Sequence, residues 1–278
     1  GWGREGYERS VAKEEPFPAP WHDQTLRFRA RDILDAQFGL LNEASRRRHQ
    51  LLATGYRLGD IQLQRFDDHG LKFRVLVSNG TDGHGVPTGF DAERIVFVRA
   101  MVFDAAGRLL FISGDLDANG DLRDSHSSLV HNGLVPPDRQ LFSLQTKFVI
   151  RNVRGGEREQ VLAVPYSLDP LPFTRPETRP FTVLGRPLGA RKHKQILMPG
   201  ASRWARYEAP ASSLCGPGPY QVVVQLIAGM VPVNLVRDIA PAGFDYGLSA
   251  REVAARVVAG HDILHERRLT LNPKSLVK

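Results

Sequence analysis

Residues 71–79 read Leu71-Lys72-Phe73-Arg74-Val75-Leu76-Val77-Ser78-Asn79. Leu71, Phe73, Val75 and Val77 recur at every second position, so an extended backbone places all four on one face. A slip of one residue would turn that whole set toward water, so the pattern specifies a half-buried strand in one register. Working backward, IQLQRF (61–66) faces this strand across the turn Asp67-Asp68-His69-Gly70, which predicts a hairpin. Working forward, IVFVRAMVF (95–103) and LLFISG (109–114) flank Asp104-Ala105-Ala106-Gly107-Arg108, a second hairpin. LFSLQTKFVIRNV (141–153), QVLAVPYSL (160–168), RWARYEAP (203–210) and YQVVVQLIAG (220–229) continue the series. Long polar or Pro-rich connections separate several of these runs, and residues 167–200 read as a surface excursion. The fold class predicted is mainly β: an antiparallel β-sandwich with Greek-key-like connections.

Helices are expected only at the flanks. Leu34, Phe38, Leu41 and Leu52 follow helical spacing over 31–54, with Gly55 as the stop. Ahead of them, residues 1–30 contain EEPFPAPWHDQ with Trp2, Phe17 and Trp21 but no period, and are expected to run extended over another surface. At the other end, Ser249 and Glu252 form a capping box, and Val253, Val257 and Leu264 form a stripe, predicting a closing helix over 249–266. His261 and His265 would then lie four apart, on or beside that stripe, at a ligand-compatible spacing. The organisation predicted is an extended segment plus helix over 1–59, packed on the sandwich or on a partner, and a sandwich domain with closing helix and basic tail over 60–278.

Composition narrows the function. With 42% hydrophobic and 24% charged residues in 278, a substantial core is expected. No apolar run approaches the ~18 residues that would cross a bilayer. The opening GWGREGYERS has no continuous apolar segment and starts at Gly, as expected of a processed N-terminus, so an exported location, periplasmic or extracellular, is anticipated. Cys215 is alone, which excludes an internal disulfide, a Cys-rich zinc site, a C-x-x-C redox pair and the C-x-x-C-H of covalent haem attachment within these residues. The net charge of +7 suits acidic partners, yet Arg46-Arg47-Arg48, Arg191-Lys192-His193-Lys194 and Arg267-Arg268 lack interleaved aromatics, so no nucleic-acid partner is expected. No G-x-S-x-G, H-E-x-x-H or Walker motif occurs, and no acid/base pair can be named, so the chain is not expected to be an enzyme by itself.

Two stretches carry candidate chemistry. Asp115, Asp117, Asn119, Asp121 and Asp124 alternate around Gly120, the arrangement of oxygens that a hard cation such as calcium requires. The run matches the first half of an EF-hand loop but has His126 at the twelfth place, where that loop needs glutamate. An Asx-rich turn between two strands is the other reading. The second stretch, Asn79-Gly-Thr-Asp-Gly-His84-Gly-Val-Pro87-Thr88-Gly89-Phe90, would hold one imidazole on a loop of fixed backbone, as metal or haem ligation demands, or else serves as structure alone. His22, His49, His126, His131, His193, His261 and His265 are too dispersed to predict a zinc triad, although His126 and His131, close after the acidic loop, could approach its site in space.

Taken together, NGTDGHGVPTGFDAERIVFVRAMVFDAAGRLLFISGDLDANGDLRD (79–124) resembles the haem-free β-domain of multihaem c-type cytochromes. The likeness lies in the G-H-x-x-P-T-G loop, the D-x-x-G-R hairpin and the D-x-N-G-D-L loop, and extends over roughly residues 60–265. It implies a domain standing beside a haem-bearing one, with the loop histidine, here His84, available as an axial ligand. The chain departs from that family in having no C-x-x-C-H, so any haem must belong to a partner. The resemblance therefore implies a haem-free subunit or domain of a multihaem cytochrome electron-transfer assembly, shaping or shielding partner haems. The alternative is a calcium-stabilised extracytoplasmic binding module for a surface polymer or protein.

Overall fold

The computed structural model describes residues 4–88, 94–124, 127–151, 157–159, 191–193, 195–233, 236 and 247–272. In chain order the elements are α1 (Arg4–Val11), α2 (Gln24–Thr54), β1 (Tyr56–Leu58), β2 (Gln62–Asp67), β3 (Gly70–Asn79), β4 (Ile95–Phe103) and β5 (Leu109–Ser113). They continue with α3 (Ser128–His131), β6 (Phe142–Ser143), β7 (Lys147–Arg151), β8 (Glu157–Glu159) and β9 (Arg191–His193). The last are β10 (Ser202–Pro210), β11 (Tyr220–Gly229), α4 (Ala250–Ala259) and β12 (Asp262–Leu271). The chain divides into two compact units, Gly1–Leu51 and Leu52–Lys278.

The second unit is mainly β, with two antiparallel sheets. The first is built on β3, which pairs with β1 and β2 along one edge and with β10 along the other. The second runs β12-β11-β4-β5, with β6 also on β4. The chain crosses from the first sheet to the second after β3, returns for β10 and crosses again to β11. That path accounts for the long connections between short strands. A smaller antiparallel sheet, β8-β7-β9, completes the described strands. The run at 160–168 lies outside the described residues, as does most of 167–200.

Period two decides the core. Leu71, Phe73, Val75 and Val77 of β3 and Ala205, Tyr207 and Ala209 of β10 join Val96, Val98, Ala100 and Val102 of β4 and Val222, Val224 and Leu226 of β11 in one buried cluster. The other face of the second sheet buries a smaller group, Ile95, Phe97 and Ile227 with Leu122. Alternate residues of β4 and β11 thus serve the main cluster, and at the end where the strands pair Phe97 with Ile227 the residues between them, Ile95, Phe97 and Ile227, serve the smaller one.

Three expectations need correction. The described part of residues 1–30 does not run extended: Arg4–Val11 is helical, and α2 begins at Gln24 rather than 31. The missed signal is Asp23, whose carboxylate accepts a 3.0 Å hydrogen bond from the Leu26 amide and so caps the first turn. The aromatic residues of this strip pack within it, Tyr7 edge-on to Phe17 at 5.7 Å with the Arg27 guanidinium 5.0 Å above the Phe17 ring. Trp2 lies outside the described residues. The closing helix also stops short. The capping box of Ser249 and Glu252 is present, but α4 ends at Ala259, and Asp262–Leu271 pairs with β11 as a strand. Leu264 is buried in the sandwich instead of extending a helical stripe.

One core residue is left with an unmet polar group. The Tyr207 ring packs 5.3 Å from Phe73, and its hydroxyl is buried with no hydrogen-bond partner. Burial pushes its pKa well above the ordinary tyrosine value, and the nearby Asp138 carboxylate adds to the rise. A buried hydroxyl without a partner costs stability that a phenyl ring of the same shape does not. Tyr207→Phe is therefore expected to raise the stability in denaturant melts by about 1 kcal/mol; a clear loss would show that the hydroxyl is satisfied in solution.

Candidate functional site

The Asn79 side chain stands at the centre of the bonds that hold the loop after β3. Asn79, 6% exposed, ends the strand and donates through Nδ2 to the carbonyl oxygens of His84 (2.8 Å) and Leu197 (3.0 Å). Its Oδ1 accepts from the Thr81 amide at 2.8 Å. The Thr81 hydroxyl lies 2.8 Å from Asn79 Oδ1 and 3.0 Å from the His84 carbonyl oxygen, and donates to one of them at a time. Beyond the histidine, Val86 and Leu197 exchange two backbone hydrogen bonds of 2.8 Å. The amide of Gly80 donates to the Gly55 carbonyl at 3.0 Å. The backbone around His84 is thus fastened at both ends to the sandwich, while the imidazole itself is exposed. Gly89 and Phe90, which end the motif, lie outside the described residues.

In the acidic loop, Asp115 and Asp117 accept from donors of the loop and of the residues just after it. Asp115 accepts from Arg123 Nη2 at 2.7 Å and from Nε at 2.9 Å. Asp117 Oδ1 accepts from the amides of Asn119 (2.7 Å) and Asp121 (3.1 Å), and Oδ2 from the Ser127 hydroxyl at 2.5 Å. Ser127 Oγ in turn accepts from the Val130 amide at the start of α3. Asp121 is buried and Asp124 half-buried. Gly120 takes a left-handed φ of +83°, and a Cβ there would stand 3.0 Å from both Val233 and Val258. The left-handed backbone favours glycine, and the tight approach of the two valines adds to that preference. The loop is a packed corner beneath α4. Among the described residues no group of three or more His, Cys, Asp or Glu side chains is arranged to hold a metal ion; Ser125 and His126 lie outside them.

The D-x-x-G-R hairpin has the same character. Asp104 is buried, and its Oδ1 accepts from the amides of Ala106 and Arg108, both at 2.9 Å. Oδ2 accepts from Arg108 Nε at 2.7 Å. Burial alone would raise the Asp104 pKa, but these bonds and the Arg108 charge carry it below the ordinary carboxylate value. Asp138, which drew no notice in the sequence, makes a comparable bracket. Its Oδ2 accepts from Ser113 Oγ (2.8 Å) and the Gly114 amide (2.7 Å).

Among the described residues the remaining histidines do not assemble. His22 contacts the Phe17 carbonyl at 3.0 Å, and His69 is exposed at the first hairpin turn. His49 is on α2, while the side chains of His131 and His193 lie outside the described residues. His261 and His265 share no helix face. His265 Nε2, on β12, reaches the carbonyls of Ala53 (3.0 Å) and Tyr56 (2.9 Å), tying the end of α2 to the second sheet. His261 packs edge-on to Phe97 at 6.1 Å, and its Nε2 is buried without a hydrogen-bond partner. Burial, with the Arg99 charge as the second cause, lowers its pKa. Gly229 permits this packing, since a Cβ there would come within 2.8 Å of the ring.

Comparison with known proteins adds little to that geometry. No protein-family model matches the chain, and no curated protein does. Among solved structures, a penta-heme cytochrome c552 from Thermochromatium tepidum is similar at 15% identity with a TM-score of 0.46, over 80% of this chain and 41% of that one. The chain thus spans less than half the length of that neighbour. No residue role is transferred through so distant a likeness. No helix among the described residues is long and apolar enough to cross a membrane.

The acidic loop yields a direct test. Asp117→Ala leaves two amides and a hydroxyl without their acceptor, and a loss of about 1–3 kcal/mol is expected. Because the carboxylates of Asp115 and Asp117 are already engaged by protein donors, a calcium chelator is expected to leave the melting temperature unchanged. A chelator-induced drop that Asp117→Ala removes would establish a bound ion instead.

Proposed function

We propose that this chain is a haem-free subunit or domain of a multihaem cytochrome electron-transfer assembly. It shapes and shields haems carried on a neighbouring polypeptide and offers His84 as an axial ligand to one of them. The observation that supports the proposal is the division of labour among the three motifs of residues 79–124. Asp117 of the acidic loop and Asp104 of the D-x-x-G-R hairpin are engaged in holding the fold. The His84 loop is equally well braced, yet it leaves an imidazole exposed. A loop already fastened by Asn79 and Leu197 loses little further freedom on docking, so more of its contact energy appears as affinity. The sequence likeness to the β-domains of multihaem cytochromes points in the same direction. A periplasmic or extracellular location belongs to the same proposal, as does a c-type cytochrome partner supplying the iron.

The test uses the native complex. His84→Ala removes an exposed side chain, so stability is expected to stay within about 0.5 kcal/mol. Axial-ligand identity governs both the spectrum and the reduction potential of a haem. The variant complex is therefore expected to show one haem with an altered visible spectrum and potential, and added imidazole should restore the spectrum. A variant complex with unchanged spectra would remove His84 from the iron, and purification without any haem protein would end the proposal.

A further inference from the structure

Among the described residues His261 is the histidine whose ring nitrogen is both buried and without a partner. It stands in the short turn between α4, which ends at Gly260, and β12, and its amide donates to the Val258 carbonyl at 3.1 Å. From that turn the ring enters the second sheet. It lies edge-on to Phe97 of β4 and against the backbone of Gly229 at the end of β11, where a Cβ would stand 2.8 Å from both Cδ2 and Nε2. Phe97 belongs to the smaller apolar cluster with Ile95, Ile227 and Leu122. Nearby, Val258 and Ala254 of α4 rest on Gly120, the glycine of the acidic loop. The imidazole thus fastens the end of α4 to the sheet that the helix covers.

Only an uncharged ring suits this seat. A neutral imidazole can carry its hydrogen on Nδ1 and leave Nε2 as a bare lone pair, whereas imidazolium carries a hydrogen on each nitrogen. The second N–H would find no acceptor here, and burying a charged donor without a partner is costly. The surrounding charges do not offset that cost. Arg99 of β4 stands 5.8 Å from the centre of the same Phe97 ring, and its nearby counter-charge, Asp115, is itself bound by Arg123. Arg94, at the start of β4, donates to the Met230 carbonyl next to Gly229. β11 contains no charged residue, and the last turn of α4 carries Arg256 and no carboxylate. Asp262, first residue of β12, pulls the other way, but burial and the Arg99 charge outweigh it and keep the His261 pKa below the ordinary value. We propose that His261 is an acid-operated latch: neutral, it seats α4 on the second sheet, and protonated, it leaves Phe97 so that α4 lifts from the acidic-loop corner and bares the apolar cluster. The latch is independent of any haem partner.

The direction with pH follows from the two states. A released imidazole titrates near about 6.5, and the seated one below that. Above about 6.5 neither state takes the proton and the latch holds fully. As pH falls below that value the released state gains the proton first, so the hold weakens until the pKa of the seated ring is passed, and then stays at its lower level. Within that window the opening equilibrium grows by at most about tenfold per pH unit, the limit for one proton.

Amide exchange on the full chain, corrected for the intrinsic pH dependence of exchange, measures the opening. Between about pH 7.5 and about pH 5 the Val257, Val258 and Gly120 amides are expected to lose protection, while Val75 and Ala205 keep theirs. His261→Gln has no proton to gain in this range, so its α4 protection, whatever its absolute level, should not change with pH beyond what Val75 shows. Arg99→Gln removes the repelling charge and should move the His261 titration, followed by the imidazole carbon shift, up toward the ordinary value. The proposal is overturned if the wild-type ring titrates at the ordinary value, or if α4 protection is indifferent to pH. It is equally overturned if protection falls as much in His261→Gln, which would assign the acid response to other groups such as His265.

Discussion

The buried amide of Asn79 joins the end of β3 and the loop that follows it to a segment more than a hundred residues away. It terminates β3, the strand that three others flank, and its two donor hydrogens are given to His84 and Leu197, the latter 118 residues away. A buried amide group that lacked these partners would cost on the order of 1–3 kcal/mol. The loop that presents His84 and the segment that precedes β10 are therefore obliged to meet at the end of the first sheet. Without that meeting the His84 loop would be an ordinary Gly-rich connection with no preferred shape. With it, the imidazole projects from a backbone held at both ends.

The same economy appears in the other motifs. Asp104 and Asp117 each collect amide and side-chain donors at a chain reversal, and each forms a rigid corner at an edge of the second sheet. The spacing of alternating carboxylates does not by itself reveal which donors the folded chain brings to them. Asp115 is claimed by Arg123, eight residues on, and Asp117 by Ser127, ten residues on. Neither partner stands out in the sequence, since arginine and serine are ordinary loop residues. At Gly120 the left-handed backbone is a local signal, whereas the crowding by Val233 and Val258 is one that no local pattern could announce.

The strands were legible where alternation is strict. Leu71 to Val77 predicts its own face and register, and the hairpin turns at 67–70 and 104–108 follow from their turn residues. The termini were read less well, for identifiable reasons. Asp23 caps α2 from inside a Pro-rich strip that has no period of its own, so the helix starts earlier than its leucines suggest. At the other end, Val257 and Leu264 sit seven apart, a spacing that fits a helical stripe. Gly260 marks the true stop, and the alternation of Asp262–Leu271 is masked by its charged residues. His265 then serves the join between α2 and the second sheet rather than a ligand pair with His261. The clamp at Asn79 was invisible for a different reason: its partner Leu197 lies beyond a long Pro-rich stretch and is brought close only by the pairing of β3 with β10.

Amide hydrogen exchange on the wild-type chain and on Asn79→Ala measures that clamp directly. If the amide holds the loop, the Thr81, Val86 and Leu197 amides exchange faster in the variant, while those of Val75 and Ala205 in the sheet keep their protection. Unchanged exchange at Val86 and Leu197 would contradict it, and would show that the loop around His84 keeps its shape without Asn79.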